Sequence, residues 1–133
     1  MEFHRGRLLD HVHLRVRDLE ASKRFYRAAV EALGLELTRE TDSAFLVDEL
    51  YVSDDGEPTR VHIAFQAADR DAVHRFYEAA LGAGGRDNGR PGERAYHPGY
   101  YAAYVLDPDG NNIEAVFHGP SSRTAESVVV TPA

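Results

Sequence analysis

Two stretches of this chain, RFYRAAVEALG at 24–34 and RFYEAALGAGG at 75–85, share seven of eleven residues at an offset of 51. The identities are Arg24/Arg75, Phe25/Phe76, Tyr26/Tyr77, Ala28/Ala79, Ala29/Ala80, Ala32/Ala83 and Gly34/Gly85. Upstream, Asp18 falls on Asp69, Ala21 on Ala72, Val12 on Ile63 and His11 on His62. A repeat of this period is one supersecondary unit used twice, so both copies should share a local fold. The 133 residues leave room for two such units around a common core and little more.

The unit can be read residue by residue. HVHLRV (11–16) alternates, with Val12, Leu14 and Val16 on one face and His11, His13 and Arg15 on the other, which predicts a half-buried strand. Asp18 is an N-cap candidate for a helix over 19–33. Phe25, Ala29, Ala32 and Leu33 form its apolar stripe, and Gly34 is placed to end it. In the second copy the strand is VHIAF (61–65), and Asp69 or Asp71 opens a helix over 70–82 that stops near Gly82–Gly85. Short strands are predicted around 35–39, 44–47 and 49–53, then 86–88, 100–106 and 112–117. The expected fold is α+β: one domain of two βαβββ modules, about 8–56 and 59–118, curling into an open mixed sheet with helices outside. The tail, 119–133, is polar apart from Val128–Val130 and is expected to be loosely held.

Composition removes several function classes. With 22 acidic against 15 basic residues and no basic cluster, the chain is a poor match for nucleic acid. The absence of cysteine removes disulfides, thiolate ligands and a cysteine nucleophile. No apolar run approaches the ~18 residues of a membrane span, and the first residues have no signal-peptide pattern, so a cytoplasmic protein without a membrane partner is expected.

One acid stands out. DPDGNN (107–112) is dense turn chemistry, and the strand NIEAVF that follows carries a carboxylate inside it. Ile113, Ala115 and Phe117 take one face and leave Glu114 on the other. His11 and His62 are repeat-equivalent, and both point away from the apolar faces of their strands. These three groups are therefore expected to converge in one concave cup. His4, His13, His74 and His118 read as wet-face polar residues, with His13 able to line the cup and His74 solvated on its helix.

The doubled βαβββ unit and the phrases DHVHLRVRDLEASKRFY, VHIAF and YVLDPDGNNIEAV resemble the vicinal oxygen chelate superfamily: glyoxalase I, extradiol dioxygenases, and fosfomycin- and bleomycin-resistance proteins. The resemblance spans about residues 8–118. It implies metal ligands on the first and last strands of the halves, which map to His11, His62 and Glu114. Two histidines and one carboxylate suit a divalent Fe, Mn, Zn or Ni ion with open positions. Glyoxalase-like members use a further carboxylate from the first half, for which Asp48 and Glu49 are the candidates; neither sits in a counterpart of NNIEAV. A site of two histidines and one glutamate resembles the extradiol dioxygenases, with His97, Tyr101 and Tyr104 as candidate catalytic groups and Tyr100 beside them. The expected function is a metal-dependent enzyme acting on a small oxygenated substrate, leaning toward a ring-cleaving dioxygenase. The alternatives are a glyoxalase-like lyase or isomerase, or a resistance-type protein that only binds its ligand. Exposed strand edges, and the habit of relatives, predict a homodimer.

Overall fold

The computed structural model describes residues 3–6 and 8–133. In chain order the elements are β1 (Phe3–Arg5), β2 (Val12–Arg15), α1 (Leu19–Ala32), β3 (Arg39–Glu40), β4 (Ala44–Val47), β5 (Leu50–Ser53), β6 (His62–Gln66), α2 (Arg70–Gly82), β7 (Arg86–Glu93), β8 (Tyr101–Leu106), β9 (Asn112–Phe117) and β10 (Val128–Val130). The repeat is real at the level of topology. One sheet has the order β2-β5-β4-β3 and the other β6-β9-β8-β7, the same permutation twice. In each, the first strand runs parallel to the last, β2 beside β5 and β6 beside β9, and the other pairs are antiparallel. The fold is α+β, two four-stranded mixed sheets that do not close into a barrel. No helix among the described residues is long and apolar enough to cross a membrane.

Both helices begin as the repeat predicts. The Asp18 carboxylate accepts from the Ala21 N–H at 3.1 Å and the Asp69 carboxylate from the Ala72 N–H at 2.7 Å. Each meets an N–H in the first turn that has no partner within the helix. At the other end the sequence match slips by one residue. Gly34 (φ 84°) and Gly84 (φ 102°) are the left-handed residues that close the two helices. The N–H groups of Leu35 and Gly85 reach back to the carbonyls of Val30 and Ala80. Gly85, which the sequence aligns with Gly34, is a packing residue instead. A Cβ there would lie 2.7 Å from Phe25 of the other module and 2.5 Å from Val105.

The helices pack on each other and on one shared core that includes Phe25, Tyr26, Phe45, Phe76, Val105 and Ile113. A buried polar node ties the modules together. The Tyr26 hydroxyl of α1 donates to Asp107 Oδ2 at 2.5 Å, and the Asp107 carboxylate also receives the Asn111 N–H and Nδ2 and the Asp109 N–H, each within 2.9 Å. Burial, then the Asp107 charge, holds the Tyr26 phenol well above its ordinary pKa. Asn111 Oδ1 in turn accepts from the Val61 N–H at 2.8 Å, which helps fix how β6 meets β9. The turn chemistry of DPDGNN is thus a brace that sets the register of the strand carrying Glu114.

Three edges differ from expectation. The strand expected at 86–88 runs on to Glu93 through GRPGE, which has the composition of a loop; β7 is the outer strand of its sheet, where glycine, proline and irregular register are tolerated. The strand expected at 35–39 shrinks to Arg39–Glu40, also at an edge. The tail is not free: β10 pairs antiparallel with β1, and Ser127 Oγ lies 2.7 Å from His4 Nδ1.

Candidate functional site

On β9, Ile113 and Ala115 enter the core with no exposed surface, which turns Glu114 to the opposite face of the sheet. Its carboxylate is nevertheless only 2% exposed, because neighbouring side chains roof it. His62 Nε2, from β6, lies 2.8 Å from Glu114 Oε1. The Tyr100 hydroxyl donates a short hydrogen bond to Oε2. Tyr104 stands directly across the β8–β9 ladder from Glu114, with its ring 6.0 Å from that of His62. Ala64, the neighbour on β6, keeps the other flank small. Both phenols hold their protons firmly. Burial first, then the hydrogen bond and charge of Glu114, raises Tyr100 above its ordinary value. Burial and the Glu114 charge push Tyr104 up to about 12.

The first sheet carries a second, separate group of polar side chains. His11, His13, Leu46, Asp48 and Tyr51 line a cavity of about 310 Å³. His13 Nε2 lies 2.7 Å from Ser53 Oγ, which donates to Asp55 Oδ1 at 2.7 Å, and its ring is 4.4 Å from that of Tyr51. The Ser53 hydrogen bond leads the effects that hold the Asp55 carboxyl below its usual pKa. His11 is exposed and meets Asp10 at 2.7 Å.

The expected convergence is therefore only partial. His62 and Glu114 come together, but among the described residues no three histidine or acidic side chains form a metal-holding group. His11 belongs to the cavity of the other sheet.

Register also identifies the first-half counterpart of Glu114. Val12 pairs with Leu50 as Ile63 pairs with Ile113, so His13–Tyr51 corresponds to Ala64–Glu114. Tyr51 holds the place of a second carboxylate. Asp48 and Glu49, the candidates from sequence, form the two-residue connection between β4 and β5, with Asp48 at φ 48°. Sequence reasoning missed Tyr51 because the two halves enter their last strands differently, by residues 48–49 in one and by 107–111 in the other.

The candidate catalytic groups separate. Tyr104 faces Glu114. Tyr101 lies on the other face, 8% exposed in the core, its hydroxyl 2.6 Å from His74 Nε2 and its ring under the Arg70 guanidinium at 4.4 Å. His74 is thus a partner of Tyr101 and not simply solvated. Tyr100 is the phenol on the carboxylate, and the alternation of YYAAY (100–104) already separates it from Tyr101 and puts it on the face of Tyr104. His97 is exposed and reaches Glu114 only through Tyr100, whose ring is 5.4 Å away. Its Nδ1 lies 2.9 Å from the Pro98 carbonyl, which can only accept, so Nδ1 is the donor there, and Nε2 lies 2.9 Å from His118 Nδ1.

Comparisons with known proteins place this architecture. A solved glyoxalase/bleomycin resistance protein from Albidiferax ferrireducens is 29% identical, with 82% of this chain and 97% of that one covered at a TM-score of 0.72. A glyoxalase-related enzyme from Fulvimarina pelagi is 22% identical over 96% and 99% of the two chains, with a TM-score of 0.70, a likeness of fold. A solved oxidase is 26% identical over 90% and 95%, with a TM-score of 0.57. No curated protein sequence matches significantly. The family profile covers residues 8–115, and the chain belongs to the Glyoxalase/Bleomycin resistance protein/Dioxygenase superfamily, the vicinal oxygen chelate fold.

Proposed function

We propose that the protein is a metal-dependent enzyme acting on a small oxygenated molecule, with each site built by two copies of the chain. The fit of a metal can be judged on the donor atoms. His62 Nε2 and Glu114 Oε1 are 2.8 Å apart, close to the spacing of two neighbouring ligands with bonds of about 2.1 Å. Catalytic sites commonly use three protein ligands and leave a position open. One chain supplies two. The third would be His11 of a second copy, whose cavity would close over the Glu114 face. Strands β2 and β6 each pair on one side only, so each leaves an edge that a second copy could use.

Within this reading the chain's own groups have definite tasks. The Tyr100 hydroxyl holds Glu114 in place and keeps its own proton at neutral pH. The pair His62–Glu114 must release any proton shared between Nε2 and Oε1 before both can serve as ligands, which makes metal affinity fall as pH falls. A divalent ion held there would bind neighbouring oxygens of the substrate and stabilise negative charge developing on them.

The observation that carries the reaction class is Tyr51 at the position equivalent to Glu114. A lyase that shuttles a proton to and from carbon calls for a second carboxylate as base, and a phenol stands there instead. Two histidines and one carboxylate leave adjacent positions for a catecholate and for dioxygen. That favours ring cleavage. The likeness to a solved oxidase supports an oxygen-using reaction. The test is to load chelator-treated protein with Fe(II) without air, add catechols, admit oxygen and follow the yellow ring-opened product. Zn(II)- and Ni(II)-loaded protein is assayed in parallel on the hemithioacetal of methylglyoxal and glutathione. Ring opening in the first assay is expected. Turnover only in the second would replace the dioxygenase reading with a lyase. Silence in both, with no metal bound, would leave a binding protein.

A further inference from the structure

The Glu114 face carries a cation that has no acidic partner among the described residues and no part in the proposed metal site. Arg94 follows β7, and its N–H pairs with the Tyr100 carbonyl at 2.9 Å. Its neighbour Glu93 turns to the helix side, where it meets Arg70 at 2.7 Å, so Arg94 turns the other way. The guanidinium lies over the Tyr104 ring, 5.3 Å from its centroid, and is half-buried.

The local backbone is shaped to receive it. A Cβ on Gly92 would come within 3.1 Å of Arg94 Nη1, and one on Gly89 within 3.3 Å of Nη2 and 2.8 Å of the Tyr104 ring. Gly89 has φ 151°, a conformation that side-chain-bearing residues rarely adopt. Nη1 donates to the Glu93 carbonyl at 3.3 Å and Nη2 to the Arg90 carbonyl at 2.7 Å. Two of five N–H donors are thus used, and both go to neutral acceptors. The nearby acids are engaged elsewhere, Glu93 by Arg70 and Glu114 by His62 and Tyr100. Among the described residues Arg94 has no ion pair. A half-buried charge without a counter-charge is costly, and a guanidinium fork with free donors matches a planar oxyanion.

Beside it runs an aromatic wall. Tyr96, 72% exposed, stands with its ring 4.9 Å from that of Tyr100, and Tyr104 continues the surface to His62. The rings are inclined to one another, by 67° between Tyr96 and Tyr100, so a flat unsaturated body can meet them face-on to one and edge-on to the next while an acid group meets the guanidinium.

We propose that Arg94 is the anion receptor of this site and that the substrate is a planar, unsaturated carboxylate, its acid on Arg94 and its ring packed among Tyr96, Tyr100 and Tyr104. This rests on the reading that the Glu114 face binds the substrate, and it narrows the oxygenated molecule of that reading to an acid.

The experiment uses 4-hydroxybenzoate and its neutral counterpart 4-hydroxybenzamide, neither of which chelates a metal through neighbouring oxygens. Binding is measured by calorimetry at low salt on wild type, Arg94→Gln and Arg94→Lys, with and without chelator, after melting curves establish that the variants fold. Wild type should bind the acid roughly tenfold or more tightly than the amide, as a charge-assisted contact implies. Arg94→Gln should bring the acid down to the amide and leave the amide unchanged, while Arg94→Lys keeps part of the preference. Equal affinities in wild type, no binding of either probe, or an equal weakening of both probes in Arg94→Gln would overturn the inference. A preference that chelator abolishes and Arg94→Gln leaves intact would overturn it too, and would place the acid on a metal, in favour of the wider functional reading.

Discussion

Where the second sheet carries Glu114, the first carries Tyr51, and the surroundings of the two positions differ as much as the residues. Glu114 is reached by His62 and Tyr100 and sits under a roof of aromatic rings. Tyr51 lies at the rim of a 310 Å³ cavity with His11 and His13, and the nearest strong hydrogen-bond chain, His13–Ser53–Asp55, runs away toward solvent. One half supplies the acid, the other a histidine and space. A doubled fold thus provides two copies of one frame, and chemistry comes from letting equivalent positions diverge. What each half lacks, the other offers, which is the physical ground for expecting two copies to meet over each site.

The sharpest way to break that comparison is to damage each half in a separate chain. If the proposed shared metal site is right, Glu114→Gln and His11→Ala should each reduce metal affinity at least about a hundredfold, since each would remove one of the three proposed ligands. His74→Ala should leave it unchanged, because His74 bonds to the core-facing Tyr101. Refolding the two ligand variants together should restore about a quarter of the sites if they are shared between copies, because a mixed dimer has one site with both defects and one with neither. Metal analysis reads the result. No recovery would mean that each chain builds its site alone.

A large effect on stability is expected at the brace that only the second half possesses. Asp107 is buried and receives four donors. Asp107→Ala would leave the Tyr26 hydroxyl and the Asn111 groups without partners, at a cost of roughly 3 kcal/mol or more. Urea denaturation measures it. A change below about 1 kcal/mol would mean that the turn is held by its backbone alone.

Converting one half toward the other is a finer test. Tyr51→Glu restores a carboxylate at the equivalent position and should tighten divalent-metal binding by about tenfold. It should also favour turnover of the hemithioacetal over ring opening. Unchanged metal affinity would show that the Tyr51 side does not reach the site.

The sequence disclosed the frame better than the site. The repeat around Phe25-Tyr26 and Phe76-Tyr77 gave both helices and their Asp caps, because local hydrogen bonding and apolar spacing determine them. It also located His62 and Glu114, since strand alternation alone sends each away from the core. Three things were hidden. The length of β7 beyond 88 was hidden because an edge strand tolerates the glycines and proline that mark loops elsewhere. Tyr51 was hidden because equivalence depends on parallel pairing between β2 and β5, a contact between residues about forty positions apart. His11 was expected beside Glu114 from its repeat equivalence with His62, and strand patterns carry no information on how two sheets face each other, within one chain or between copies.

The smallest effect concerns protons on the second half's phenols. Tyr104 is pushed up to about 12, first by burial and then by the Glu114 charge. In the unfolded chain a tyrosine titrates near 10. The folded state therefore keeps this proton over a range in which the unfolded state has lost it. Stability from this source is complete below about pH 10 and declines as pH rises from there through about 12, because the unfolded chain binds fewer protons there. Tyr100 and the buried Tyr26 are raised as well and add to the decline, so wild type alone does not isolate Tyr104. The comparison that does is Tyr104→Phe, which should lose less stability between about pH 9 and about pH 11.5 than wild type. Phenolate absorbance gives the same answer from the other side. In Glu114→Gln the negative charge is gone, and the Tyr104 titration should move down toward 10. A titration that stays near 12 in that variant would assign the shift to burial and the neighbouring Tyr96 and detach Tyr104 from the acid it faces.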